Sequence, residues 1–121
     1  MRSVPTKHQY YMSLATAAAQ RSKDPNTQVG AVIVNDDGRI ISLGYNGMAE
    51  GMPEWDCWTD ELKDDLVIHA EVNAIANAAR AGASTLGSSM YITLTPCLPC
   101  TRVVVAAGIK RVFWPESSYY D

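Results

Sequence analysis

Two short stretches carry the residues best able to do chemistry. His69-Ala70-Glu71 sets an imidazole two positions before a carboxylate, and Pro96-Cys97-Leu98-Pro99-Cys100 supplies a pair of thiols. One imidazole and two thiols make three protein ligands, and a catalytic zinc keeps its fourth position open for water. Glu71 is then placed to move protons rather than to hold metal. Each half also has a blander reading. A lone C-x-x-C in a reducing compartment can be a redox pair or half of a structural zinc site. A lone histidine at a helix start is usually only a capped or buried side chain. Both halves in one chain, in this order and each at a helix start, point instead to activated water with an acid-base partner.

The elements that must position these residues follow from the flanking pattern. His69 opens an apolar run that Gly82 stops, so we expect a helix over 69–82. Cys97 follows the strand-like Met90-Tyr91-Ile92-Thr93-Leu94 and opens a second run stopped by Gly108. This gives a strand over 89–95, a helix over 97–107 and a strand over 109–114, an alternation that predicts parallel pairing. Two helix N-termini facing one metal would also help keep both sulfurs ionised.

Upstream, Thr6 can cap a helix running to about Arg21, with His8 solvated near its start. Arg21-Ser22-Lys23-Asp24-Pro25-Asn26-Thr27-Gln28 is polar and turn-rich, on its face an ordinary helix-to-strand connector. Strands are expected over 29–35 and 39–44, joined by the Asp36-Asp37-Gly38 turn. Gly44-Tyr45-Asn46-Gly47 closes the second strand with turn chemistry. The connector over 48–66 holds Trp55, Cys57 and Trp58, and its acidic end, Asp60 to Asp65, suits a short helical turn. Cys57 has no second Cys or His at ligand spacing, so an extra metal there is not expected. The two tryptophans read as packing or interface residues.

With 121 residues, the length predicts one domain able to bury a core. A 47% apolar and 19% charged composition is globular, and the formal net charge of −3, with no basic cluster, argues against a nucleic-acid partner. Three cysteines, two of them assigned to metal, argue against a disulfide framework. No apolar run approaches the roughly 18 residues of a membrane helix, and Met1 to Pro5 lacks the apolar core of a signal peptide. We therefore expect a soluble cytoplasmic protein with no membrane partner.

Taken together, the stretch from Arg21 to Ala31, Gly44-Tyr45-Asn46-Gly47, His69-Ala70-Glu71-Val72-Asn73-Ala74-Ile75, Pro96 to Cys100 and Ala107-Gly108-Ile109 resemble the deoxycytidylate (dCMP) deaminases over nearly the whole chain. The resemblance implies an α/β fold, a three-layer α/β/α sandwich with a mixed five-stranded sheet. It also implies one catalytic zinc on His69, Cys97 and Cys100, and hydrolysis of dCMP to dUMP, the precursor for thymidylate synthesis. In that chemistry Glu71 takes a proton from water, gives it to N3 of cytosine as C4 is attacked, and helps ammonia leave. The Ala70 N–H would hold the pyrimidine carbonyl, the Thr95 carbonyl would receive the exocyclic amine, and Asn26 would hold the sugar hydroxyl. Arg21 and Tyr119 would meet the 5′-phosphate. Asn46 and Gly47 correspond to the turn that binds effectors, dCTP with Mg2+ as activator and dTTP as inhibitor, in a homo-oligomer that is usually a hexamer.

The chain departs from the pattern at Met48-Ala49, where the family often has proline after the glycine, and in its own connector to His69. Relatives also commonly continue past the position of Asp121. Other deaminases of dCTP, free cytidine or guanine, or of adenosine in tRNA, share the two core motifs; a tRNA enzyme should show a basic groove. A non-catalytic zinc module would need no Glu71, and a thiol redox protein would be recognised by oxidation of Cys97 and Cys100.

Overall fold

The structure is a computed structural model that describes residues 1–52 and 63–116. Helix α1, Lys7–Ala19, begins at Thr6, whose hydroxyl accepts from the Gln9 N–H while the Gln9 side chain accepts from the Thr6 N–H. That capping box satisfies two donors the first turn would otherwise leave open. Strands β1, Gly30–Val34, and β2, Ile40–Tyr45, form the expected hairpin. Its turn is held by the Asn35 carboxamide oxygen, which accepts from the Asp37 and Arg39 N–H groups. A short helix α2, Lys63–Leu66, precedes helix α3, Ala70–Arg80. Strand β3, Ser89–Ile92, helix α4, Leu98–Ala106, and strand β4, Arg111–Phe113, complete the order.

The sheet order is β2-β1-β3-β4, with β1 antiparallel to both neighbours and β3 parallel to β4. The last pairing is the one that a strand-helix-strand alternation requires. The four expected strands and the three long helices are all present, most of them shorter by one to a few residues at their ends; β2 keeps its expected length but is shifted by one residue, to Ile40–Tyr45. The four strands are the four read from the chain. The fifth strand implied by the family resemblance has no counterpart among the described residues.

Every residue of β1 is buried, so this strand is covered on both faces. Ala31 and Ile33 point to one face and join Met90, Ile92, Ala70, Ala74 and Val104, a core shared with α3 and α4. Val32 and Val34 point to the other and pack with Tyr91 against Tyr11 and Ala15 of α1. Period-two alternation in one apolar strand thus builds the α/β/α layering.

Polar groups dock α3 onto β2, the edge strand. Asn77 Nδ2 donates to the Leu43 carbonyl at 2.9 Å, Asn73 Nδ2 to the Tyr45 carbonyl at 2.9 Å, and Ser42 Oγ to the Ala74 carbonyl at 2.7 Å. The two asparagine bonds cover carbonyls that the edge strand would otherwise leave open, and the serine bond ties β2 back to α3. They bring α3 so near that a Cβ at Gly44 would stand 2.4 Å from the Ala74 nitrogen. Gly44 is therefore a strand residue kept small by a helix lying on it, and the turn expected at this point begins after Tyr45.

Candidate functional site

Helices α3 and α4 start side by side at the carboxyl end of β3, the end of an α/β sheet where ligands gather. His69 and Cys97 are the N-cap residues, both extended, and neither side chain caps its own helix. The position normally given to a capping oxygen instead carries a group aimed at the space between the helices. His69 Nδ1 lies 3.1 Å from Cys100 Sγ and 3.5 Å from Cys97 Sγ. Pro99 sits in the first turn of α4, where its missing N–H costs no hydrogen bond.

Glu71 completes the cluster. Its ligand atom and those of His69, Cys97 and Cys100 lie within 4.8 Å of one another. Glu71 is only 2% exposed, yet its Oε2 has no hydrogen-bond partner. A buried carboxylate oxygen left unpaired is costly unless it faces a ligand or does chemistry. Cys100 is likewise buried. Its thiol is pushed well up, chiefly by burial, then by its hydrogen bond with Cys97 and the negative charge of Glu71. Two thiols and a carboxylate form an unfavourable group by themselves, and a cation among them reverses that.

The donor set fits zinc. Bond lengths of about 2.3 Å to sulfur and about 2.0–2.1 Å to nitrogen, at a tetrahedral angle, place nitrogen and sulfur roughly 3.6 Å apart. The two His69–cysteine separations, 3.1 and 3.5 Å, lie near that value. Among the described residues, three ligands of the usual N/S type come together here, a set that would leave a bound zinc one position for water beside Glu71.

A cavity of about 410 Å³ opens onto this cluster, with His69, Ala70, Glu71 and Leu94 in its wall. Ala70 is the first residue of α3, so its N–H is among those with no acceptor inside the helix. The opposite wall comes from the polar loop before β1. Asp24 Oδ1 accepts from the Asn26 N–H at 2.9 Å and the Thr27 N–H at 3.3 Å, a turn that presents Asp24 and Thr27 to the cavity. Lys63 and Asp64 of α2 complete the rim.

The remaining expected site residues are distributed differently. Asn26 is exposed, and its neighbours Asp24 and Thr27 line the cavity in its stead. Thr95 is half-buried in the loop between β3 and α4, outside the cavity wall. Arg21 does not reach this cavity. It lines a second one of about 220 Å³ together with Lys23, Gly47, Glu50 and the chain from Tyr45 to Met52.

Asn46 lies in the wall of both cavities. It is buried, its Oδ1 accepts from the Val29 N–H at 2.9 Å, and its Nδ2 donates to the Thr27 carbonyl at 2.9 Å and Asp24 Oδ2 at 3.3 Å. Asn46 thus clips the polar loop to the end of β2. Gly47 pairs with Ile68, N–H to carbonyl in both directions at 3.0 and 2.8 Å, which anchors the residue just before His69. Tyr119, Cys57, Trp55 and Trp58 lie outside the described residues.

Asp24, Thr27 and Lys63 stand in the cavity wall without a pattern in the chain that singles them out. The Asp-Pro-Asn-Thr turn is a visible signal, whereas Lys63 falls within the acidic Asp60 to Asp65 stretch, whose pattern shows only a short helical turn.

Known proteins resemble the chain in sequence and in fold. The chain is 42% identical to the human deoxycytidylate deaminase, an alignment that covers 93% of the chain and 66% of the human protein. It thus spans just under two thirds of the length of that relative. It is 33% identical to the deoxycytidylate deaminase of Mycobacterium phage D29, across 96% of the chain and 99% of the phage protein. The apo crystal structure of dCMP deaminase from cyanophage S-TIM5 superposes with a TM-score of 0.81 at 30% identity, covering 98% of the chain and 88% of the phage chain. The same phage enzyme has been solved in complex with dCMP and dUMP. The profile of the cytidine and deoxycytidylate deaminase zinc-binding region matches residues 5–116, and the chain belongs to that family.

Proposed function

We propose that this chain, acting as a single deaminase domain, hydrolyses dCMP to dUMP and ammonia and so supplies dUMP for thymidylate synthesis. The observation that carries the reading is the buried Glu71, with its Oε2 unpartnered, beside a His-Cys-Cys ligand set, His69 and Glu71 standing in the wall of a cavity of about 410 Å³. The similarity to deoxycytidylate deaminases supports the choice of base and sugar.

His69 Nδ1, Cys97 and Cys100 would hold zinc. Bound there, zinc supplies the acidity that makes water a nucleophile near neutral pH. Glu71 accepts the proton that water gives up, on the oxygen that has no other partner, and returns it to N3 of the ring as C4 is attacked. It then serves the departing amine, so water adds, ammonia leaves and the carboxylate is regenerated. The Ala70 N–H, at the positive end of α3, suits the pyrimidine carbonyl. Leu94 supplies an apolar wall for the ring, while the Thr95 carbonyl for the exocyclic amine and the loop at Asn26 for the sugar remain part of this proposal.

Regulation is a second part of the reading. The cavity lined by Arg21, Lys23, Asn46 and Gly47 has the cations a triphosphate with Mg2+ would need. We place dCTP activation and dTTP inhibition there, in a homo-oligomer, with the hexamer as the expected form and the cytoplasm as the compartment. Tyr119 keeps its proposed place at the substrate phosphate.

The experiment is ammonia release from dCMP, dCTP, cytidine and tRNA measured side by side with zinc-loaded protein. A marked preference for dCMP is expected. Comparable or faster turnover of another substrate would replace the reading.

A further inference from the structure

We propose that Lys63 is the residue by which the catalytic cavity selects a phosphorylated substrate, in the place that Arg21 was expected to fill. The inference rests on the deaminase reading and names the group that recognises the 5′-phosphate. Among the described residues, Lys63 is the one lysine or arginine that lines the cavity holding His69 and Glu71. Arg21 and Lys23 line the neighbouring cavity on the far side of Asn46.

The setting of Lys63 explains why its charge matters. Asp24, Asp64 and Glu71 share the same cavity wall, and among the described residues lining it this ammonium is the lysine or arginine charge set against those carboxylates. Lys63 Nζ is held in place by Asp24 Oδ2 at 3.9 Å, the loose limit of an ion pair. Asp24 does not depend on that contact, because its carboxylate already accepts from the Asn26 and Thr27 N–H groups and from Asn46 Nδ2. An ammonium has three protons to give on a flexible stem, so Lys63 can serve more than one partner, a phosphate among them. The half-buried position of its side chain, 29% exposed, strengthens a charge-assisted contact relative to one in open water.

The bland competitor is a Lys63 that merely ties α2 to the polar loop. Selectivity separates the two, read as kcat/KM for dCMP divided by kcat/KM for deoxycytidine. Lys63→Met keeps the stem and removes the charge, and it should lower this ratio by about tenfold or more, mostly through KM for dCMP. The affinity for dUMP, measured by calorimetry, should fall in parallel with little change for deoxyuridine. Lys63→Arg should recover most of the ratio. Equal losses on both substrates, or an unchanged ratio with a full zinc complement, would overturn the assignment. A selective loss in Arg21→Met together with an unchanged ratio in Lys63→Met would return the role to Arg21. If the parent protein itself fails to turn over dCMP, the function reading fails and takes this inference with it.

Discussion

Gly44→Ala tests how the fold holds the catalytic carboxylate. The added Cβ would stand 2.4 Å from the Ala74 nitrogen and 2.9 Å from the Ala70 carbonyl oxygen, whereas ordinary contact begins near 3.4 Å. Both obstacles are backbone, so α3 must move off β2 by about 1 Å. Overpacking of this kind costs about 1–3 kcal/mol, and a backbone obstacle puts it at the upper end. The gain from a stiffer unfolded chain, about 0.4–1 kcal/mol, offsets only part. A net loss of about 2 kcal/mol lowers Tm by roughly 8 °C or more in a domain of this size. The same movement carries Glu71 and His69 away from Cys97 and Cys100, and misplacement by about 1 Å can cost about a hundredfold in rate. Thermal unfolding, zinc content and ammonia release from dCMP are the assays. Gly47→Ala is the control, because a Cβ there meets nothing within 4 Å, and its stability should change by no more than about 0.5 kcal/mol. Parent-like stability and turnover in Gly44→Ala would refute the close approach on which the reasoning depends.

Glu71→Gln should keep zinc and fold but slow deamination by at least about a hundredfold, since the amide fills the same space and cannot shuttle protons; substantial turnover by the zinc-loaded variant would count against the role. Cys100→Ala, or chelation of the parent protein, should remove about one equivalent of zinc and lower the unfolding temperature, measured by metal analysis with calorimetry. Tyr91 is held above its ordinary value of 10.0, first by burial and then by Tyr11, against the opposing pull of Arg111. A raised tyrosine binds its proton more tightly in the folded state, so its contribution is full below about pH 10 and is lost as pH rises further. Tyr91→Phe should flatten the alkaline loss of stability; equal slopes above about pH 10 for the two proteins would remove the assignment.

The sequence by itself determined the elements and the chemical group at their junction. His69 and Cys97 are legible because helix starts are local, set by the strand or loop before them and the apolar period after. The C-x-x-C spacing brings Cys97 and Cys100 to one helix end by the geometry of a single turn, and β1 reads as a strand from its apolar, β-branched run alone. What lay beyond reach depended on residues distant in the chain. Gly44 reads as turn glycine until α3 is laid across it, because only the docked helix supplies the Ala74 nitrogen it must avoid. Asn46 reads as part of a turn, but its side chain is spent on Val29, Thr27 and Asp24, partners 17 to 22 positions earlier. Arg21 and Lys63 show the same division most plainly. Both are cations in polar segments, and no local pattern says which will face Glu71. The folded chain puts Lys63 and Glu71 in the wall of one cavity and Arg21 in the wall of another, with Asn46 in both. Charge type is written in the chain, but which cavity a charge serves is set by packing between segments that spacing cannot relate.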